Sequence, residues 1–155
     1  MAREKKAVFI LDPAPARALP KELLTLVHWL TPNEGEAATL LGLKELGDPL
    51  VAARNLKALG PRGVVLKLGG AGAVLLEEEE PLLIPAHKVE AVDTTAAGDA
   101  FNGGFLHAFL HGKGWDDCLR AGNICGSLAG TRPGGSAGLP GPQEYKRRMT
   151  EMRRG

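Results

Sequence analysis

Residues 93–104 read Asp-Thr-Thr-Ala-Ala-Gly-Asp-Ala-Phe-Asn-Gly-Gly. Small side chains at Ala96, Ala97 and Gly98 let the main chain approach a ligand closely. Behind them Phe101, Phe105, Leu106, Phe109 and Leu110 recur at helical spacing. A helix therefore starts within the segment, and its unpaired N–H groups and positive dipole end face the small-residue loop. That arrangement takes anions. Asp99 stands at its mouth. A carboxylate there makes chemical sense if it accepts a proton from a neutral group that attacks the anion, as in phosphoryl transfer to a hydroxyl. Taken alone, the segment reads more readily as a helix start whose first-turn Asp99 is favoured by the dipole. The rest of the chain bears on the choice.

The elements that position this segment follow from apolar runs and their punctuation. Residues 7–11 are a compact apolar run stopped by Asp12-Pro13, the pattern of a buried strand in a parallel sheet. Pro13, Pro15 and Pro20 stiffen the loop that follows. Residues 21–27 predict a short helix with Leu23, Leu24 and Val27 on one side, and 28–31 a second short strand stopped by Pro32. Glu34–Leu41 reads as a helix closed by Gly42. Residues 48–59 read as another, with Asp48 as N-cap, Pro49 in the first turn and Gly60 at the end. Residues 64–68 are the clearest strand, punctuated by Gly69, Gly70 and Gly72 before the apolar run Ala73–Leu76. Residues 77–80, all glutamate, separate that run from Leu82–Ile84, which predicts a hairpin with a solvated acidic tip. Further on, 115–128 predicts a helix, 131–142 a Gly/Pro loop and 143–153 a polar, basic terminal helix. Strands alternating with helices make the fold class α/β, layered, with a mainly parallel sheet. Neither a repeat nor a linker divides the chain, so residues 1–155 read as a single domain.

Composition narrows the field. The chain has 155 residues, 44% of them hydrophobic and 24% charged, near a globular average and enough for a buried core. Lys and Arg total 19 against 18 Asp and Glu, a net charge of +1, which argues against nucleic acid or an anionic membrane as the main partner. The first apolar run is too short for a signal peptide and no stretch approaches bilayer-spanning length, so the expected location is the cytoplasm. Cys118 and Cys125 fall seven apart in a predicted helix, a rise of about 10.5 Å. A disulfide tolerates a Cα separation of about 7 Å, so both read as reduced.

The 93–104 segment resembles the second signature of the ribokinase-type (PfkB) carbohydrate kinases, a D-T-x-G/A-A-G-D-x-F pattern. Further blocks resemble the same family in its order: 11–17 (Leu-Asp-Pro-Ala-Pro-Ala-Arg), 31–37 with its N-x-x-E core, 64–72 with its Gly-rich end, and 131–134 (Thr-Arg-Pro-Gly). The resemblance implies a three-layer α/β/α ribokinase-like, Rossmann-like fold and ATP-dependent phosphorylation of a sugar hydroxyl, with ATP, Mg²⁺ and a monovalent cation such as K⁺ as cofactors. It implies Asp99 as catalytic base at the sugar, with Ala96, Ala97, Gly98 and the Asp99 amide as anion hole. Asn33, Lys67, Leu68, Gly69, Gly70, Ala71, Gly72, Gly98, Asp99 and Asn123 would line the nucleotide. Lys67 stands where many relatives carry threonine. Glu36, offset by three from Asn33 and so on the same helical face, would hold Mg²⁺ through water. Asp93, Thr95, Ala129, Arg132, Gly134 and Gly138 match positions that hold the monovalent cation, several through main-chain carbonyls; Gly138 replaces a frequent serine.

Taken singly, Glu36 also reads as an exposed helix glutamate and Asn123 as a helix-surface amide. His107 and His111, four apart, have a metal-compatible spacing without a third ligand and read as surface or packing residues. His28 and His87 show no partner, Trp29 and Trp115 read as packing residues, and the basic tail reads as a solvated face. Members of the family are about twice as long. The resemblance therefore implies the C-terminal, nucleotide-binding half, without the N-terminal half that carries sugar-binding residues and a β-strand lid. Residues 2–6 read as the end of a helix. An exposed strand edge and apolar face would make a homodimer reasonable. Ribose is the expected substrate; fructose, 2-keto-3-deoxygluconate or a nucleoside are the alternatives. A catalytically incomplete nucleotide-binding or assembly module is the alternative function, as is a fragment active only with its other half.

Overall fold

In a computed structural model, which describes residues 7–134 and 138–152, short apolar runs become the strands of one sheet. Strands β1 (Ile10–Leu11), β2 (Trp29–Leu30) and β3 (Gly63–Lys67) pair in parallel, Ile10 opposite Trp29 and Leu30 opposite Val64. Strands β4 (Ala73–Leu76) and β5 (Leu82–Ile84) complete the order β1-β2-β3-β4-β5. The links from β3 to β4 and from β4 to β5 are too short for a crossover, so these two strands extend the sheet as hairpins. The second hairpin turns at the predicted acidic tip. There Arg62 pairs with Glu77, Arg54 with Glu80, and the Lys57 ammonium donates to the Glu77 and Glu78 carbonyls.

The chain forms two compact units. The first comprises Met1–Leu68 and Val74–Leu83. Its crossovers carry α1 (Lys21–Leu24), α2 (Glu34–Leu41) and α3 (Pro49–Ala58). Right-handed crossovers that all step the same way along a sheet put their helices on one face. There α2 and α3 pack on β3, and Leu24, Leu30, Ala37, Leu56, Val64 and Leu66 form the buried core. The ends of α2 and α3 follow the sequence signals. Gly42 closes α2 in the left-handed conformation, and the Asp48 side chain accepts from the Leu50 and Val51 amides ahead of Pro49. Gly63 has no side chain because Trp29 lies flat against it; a Cβ there would come within 2.3 Å of the ring.

The first two strands are shorter than the apolar runs suggest. Beyond Ile10 the Phe9 carbonyl accepts from the His28 and Trp29 amides, while the Phe9 amide donates to His28 Nδ1 at 3.0 Å. A side chain thus replaces a ladder partner, and His28, which the sequence leaves without a partner, has one.

The second unit comprises Gly69–Ala73 and Ile84–Gly155. It is built on α4 (Ala97–Leu110), α5 (Trp115–Ala129) and α6 (Pro142–Met152). Helices α4 and α5 share an extensive interface. A Cβ on Gly104 would lie 2.5 Å from the Ala121 carbonyl, and one on Gly122 would lie 2.8 Å from the Phe101 ring. The rings of Phe101, Phe105 and Phe109 stack at helical intervals, and Trp115 stacks on Phe109. Cys118 and Cys125 are free thiols, and burial pushes both up to about 11. Their thiolate population at neutral pH is negligible, consistent with inert packing residues. Residues 2–6, 135–137 and Arg153 lie outside the described residues, and with them the helix end read at 2–6; the terminal helix is described as far as Met152. Among the described residues, no helix is long and apolar enough to cross a membrane.

Two neighbouring glycines on α4 should respond oppositely to a methyl group. Gly104→Ala drives a Cβ into the α5 main chain and should lower unfolding free energy by about 1–3 kcal/mol. Gly103→Ala meets nothing within 4 Å and should be neutral, or stabilising by up to about 1 kcal/mol through helix propensity. Urea denaturation of the two variants checks both signs.

Candidate functional site

In the first unit, three parallel strands end side by side. Asp12 follows β1, Thr31 to Asn33 follow β2, and Lys67 ends β3. Carboxyl ends of parallel strands are where α/β sheets take ligands. The Thr31 amide donates to Leu11 O at 2.9 Å, the Lys67 amide donates to Pro32 O at 2.9 Å, and Asn33 bridges Lys67 in parallel register. Asn33 caps α2: its Oδ1 accepts from the Glu36 amide at 2.9 Å, and its own amide donates to Glu36 Oε2 at 2.7 Å. This reciprocal box is the physical meaning of the spacing of three. It makes Glu36 a structural partner of Asn33 rather than a free exposed glutamate, and leaves Oε1 outside the box. The Lys67 ammonium lies 2.7 Å from Asp12 Oδ2, so it is engaged within the protein.

Leu68 is buried. Past it, Gly69, Gly70 and Ala71 form an exposed 3₁₀ turn. Gly69 sits at φ 53° and Gly72 at φ 109°, where a Cβ would come within 2.1 Å of Ile84 O. Glycine is required at Gly72 on both counts. Asn123 is buried on α5, and its Nδ2 donates to Ile84 O at 3.0 Å and Pro85 O at 3.2 Å. It is not a surface amide. It ties α5 to the segment leaving β5, and with both amide protons directed there only Oδ1 is left for a further partner.

The loop before α4 is tightly determined. The Val92 and Asp93 amides donate to Gly130 O. Asp93 Oδ1 accepts from the Thr95 amide at 2.9 Å and Oδ2 from the Gly134 amide at 3.0 Å. These bonds, that from Gly134 foremost, lower the Asp93 carboxyl to about 2. Ala96 adopts φ 62°, ψ 5°, the left-handed region, which a residue with a Cβ enters at a cost of about 1–3 kcal/mol. Such strain persists only where the surroundings impose it. The Ala97 amide donates to Thr94 O at 3.1 Å, which leaves the amides of Ala96, Gly98 and Asp99 as the candidates for the expected anion hole. Asp99 is exposed and helps line a cavity of about 770 Å³ with Ala96, Ala100, Gly103, His107, Leu139 and Tyr145.

Of the residues expected to hold a monovalent cation, the structure joins Asp93 with Thr95 and Gly134. It also brings Gly138 against Ala129, where a Cβ would lie 2.5 Å from the Ala129 carbonyl. Arg132 departs: its guanidinium pairs with Glu144 of α6, leaving its main chain as the part near the loop. His107 and His111 have ring centroids 4.3 Å apart, with His111 Nδ1 on His107 O. Among the described residues no group of three potential ligands could hold a metal ion. The pairing of Asp12 with Lys67 was missed from sequence. Its signal was present: opposite charges immediately beyond two strands of a parallel sheet.

Comparison with known proteins places the chain in a family. The description of the pfkB family carbohydrate kinases matches residues 1–142. Ribokinase from Haemophilus influenzae is 36% identical over 147 residues, covering 93% of this chain and 48% of that protein. The crystal structure of ribokinase from Thermotoga maritima superposes with a TM-score of 0.85 at 34% identity, covering 96% of this chain and 51% of that one. Ribokinase from Arabidopsis thaliana, solved with ribose and ATP, gives 0.86 at 29% identity, covering 94% and 48%. The fold is therefore ribokinase-like, and the chain spans about half the length of the relatives it matches. The chain belongs to the pfkB family of carbohydrate kinases.

Proposed function

We propose that this chain serves the transfer of the ATP γ-phosphoryl group to a sugar hydroxyl, with ribose as the acceptor. The observation that carries the reading is the first turn of α4, where two amides and the Asp99 carboxylate follow a left-handed Ala96 at the wall of a cavity. The amides of Gly98 and Asp99 hold the transferring phosphoryl oxygens. The Asp99 carboxylate accepts the hydroxyl proton as the oxygen attacks phosphorus and the bond to the bridging oxygen of ADP breaks. The strand-end residue Asn33, the main chain of Lys67 to Gly72 and Asn123 Oδ1 serve the nucleotide.

Two cations fit the residues present. Mg²⁺ binds enzymes through one or two carboxylates, waters and substrate phosphates, and Glu36 Oε1, outside the capping box, suits that role; the ion would offset phosphate charge. The Asp93 carboxylate and the Thr95, Ala129, Arg132, Gly134 and Gly138 main-chain oxygens are the hard donors a monovalent cation prefers, and occupancy would stiffen the loop that sets Ala96. A reading as a nucleotide-binding fragment that turns over only with a complementary half draws on one observation, the half-length match to relatives. Work in the cytoplasm and a homodimer across an exposed apolar face belong to the same reading.

The test is turnover with ribose, ATP, Mg²⁺ and K⁺, with fructose, 2-keto-3-deoxygluconate and a nucleoside as competing acceptors. Asp99→Asn should lower kcat about 10²–10⁴-fold while leaving ATP affinity largely intact; equal rates would remove Asp99 from the chemistry. If turnover appears only after mixing with an N-terminal half from a relative, the fragment reading is correct.

A second prediction concerns Asp93. Its carboxyl sits near 2 in the fold against 3.8 for the free group. A depressed value stabilises the fold above the unfolded value, and that stabilisation is lost as pH falls through the folded one. The stability difference between wild type and Asp93→Asn should be constant above about pH 4 and shrink toward pH 2. Denaturant titration across that range checks it. The same variant should lose any response of nucleotide affinity to K⁺.

A further inference from the structure

One turn of α5 bears on two loops at once. Asn123 is 3% exposed, and its Nδ2 donates to Ile84 O at 3.0 Å and Pro85 O at 3.2 Å. The Gly69–Gly72 turn rests on that same strap, residues 84–86. A Cβ on Gly72 would lie 2.1 Å from Ile84 O and 2.7 Å from the Pro85 Cα and the Ala86 amide nitrogen. The Gly72 main chain is therefore in contact with the strap, and where the strap goes the turn follows. Gly126 lies three positions after Asn123, about 4.5 Å further along the helix and on a neighbouring part of its surface. It is pressed against the first residue of α4, where a Cβ would lie 3.1 Å from the Ala97 carbonyl. Gly122 meets the Phe101 ring of α4 at similarly close range. Residues 122–126 thus touch the start of α4 directly and the Gly-rich turn through the strap. Glycines allow an approach but hold nothing. Asn123 supplies a directional link, and two bonds from one amide fix both the distance and the rotation of the strap. A buried amide takes partners in any fold. What singles this one out is that its partners are the carbonyls of the two residues against which Gly72 lies.

We propose that Asn123 is a positioning residue for the nucleotide: by holding the Ile84 and Pro85 carbonyls it fixes the Gly69–Gly72 turn at the spacing from the start of α4 that lets one ATP reach both. The inference rests on the reading above, in which the turn serves the nucleotide and the α4 amides hold the transferring phosphoryl group. ATP is then gripped at two places that belong to different segments, and α5, Asn123 and the strap are the path between them. ADP lacks the γ-phosphoryl group and meets only the first place. A preset spacing therefore favours the longer ligand alone. This role belongs to Nδ2 and is separate from any contact that Oδ1 makes.

Calorimetric titration of the full chain with ATP and with ADP, each with Mg²⁺, reads the role as the ratio of the two affinities. Asn123→Ala removes both bonds to the strap, and the preference for ATP over ADP should fall about tenfold, since a misplacement of about 1 Å can cost about 10²-fold. A contact made through Oδ1 alone would weaken both nucleotides equally and leave the ratio unchanged, which would overturn the proposal. Amide hydrogen exchange supplies a second readout. In Asn123→Ala residues 69–73 should exchange about tenfold faster, the effect of about one lost hydrogen bond, while α4 keeps its wild-type rates. Unchanged exchange at residues 69–73 would overturn the proposal as well. Gly126→Ala disturbs the same spacing from the α4 side, where its Cβ presses on the Ala97 carbonyl, and should lower the ratio without speeding exchange at residues 69–73. If Asn123→Ala does not fold, Asn123→Ser, whose hydroxyl is too short to span both carbonyls, is taken through the same measurements with the same expected outcome. A wild type that binds no ATP, or binds ATP and ADP alike, would overturn the nucleotide reading and this role with it. A wild-type preference for ATP that the folded Asn123 variant retains would overturn the role of Asn123 alone.

Discussion

The close approach of α4 to α5 governs the second unit. Two helices pack at this separation only where side chains are missing, and Gly104, Gly122 and Gly126 are the missing ones. A Cβ on Gly126 would lie 3.1 Å from the Ala97 carbonyl, so α5 passes directly behind the first residue of α4. The start of α4 is thereby fixed in space and not only in sequence. The strain at Ala96 is held because the chain before it is anchored on Gly130 and Asp93 and the helix after it is pressed against Gly126. A looser interface would let the Ala96 turn relax, and the first-turn amides would lose their common direction. Where Asp99 stands is therefore a consequence of packing several residues away, along a face it does not share.

Charge is handled locally throughout. The half-buried carboxylates near candidate ligand positions are met by main-chain amides or by an opposite charge. Glu36 receives the Asn33 amide, Asp93 the amides of Thr95 and Gly134, and Asp12 the ammonium of Lys67. Among the groups left to meet an anion are main-chain N–H groups, which carry no net charge and need no counterion. Such donors are rigid, and rigid donors aimed at developing charge lose little to reorganisation.

Helix ends were the most legible part of the sequence. Asp48-Pro49, Gly42 and the Asn33/Glu36 pair act through neighbours in the chain, so their geometry follows from spacing alone. The hairpin at residues 77–80 was legible for the same reason. Strand lengths at β1 and β2 were not, because whether Phe9 stays in the ladder depends on the His28 ring, a partner from another segment. The same limit hid Asn123, whose amide is spent on carbonyls 38 and 39 positions away, and Lys67, whose partner is 55 positions away. The 93–104 segment announced a helix start and an anion site. It did not announce that Ala96 would be left-handed, since that depends on how Gly130 anchors the loop; the Ala97 amide is taken by Thr94 O within the segment itself, a turn that its residue types do not mark. Local chemistry was readable; commitments between distant segments were not.

The loop after α5 is held from two sides, and this sets what can vary independently. Asp93 holds it through the Gly134 amide, and Glu144 of α6 holds it through Arg132. Helix α6 also packs on α5 and supplies Tyr145 and Lys146 to the wall of the cavity that Asp99 borders. Asp99 itself depends on α4 and α5. A change in α6 therefore alters the cavity wall and the tension on the 131–134 loop before it alters the carboxylate. The part of the cavity wall formed by Tyr145 and Lys146 and the position of the Asp99 carboxylate thus rest on different helices, and one can drift while the other is kept.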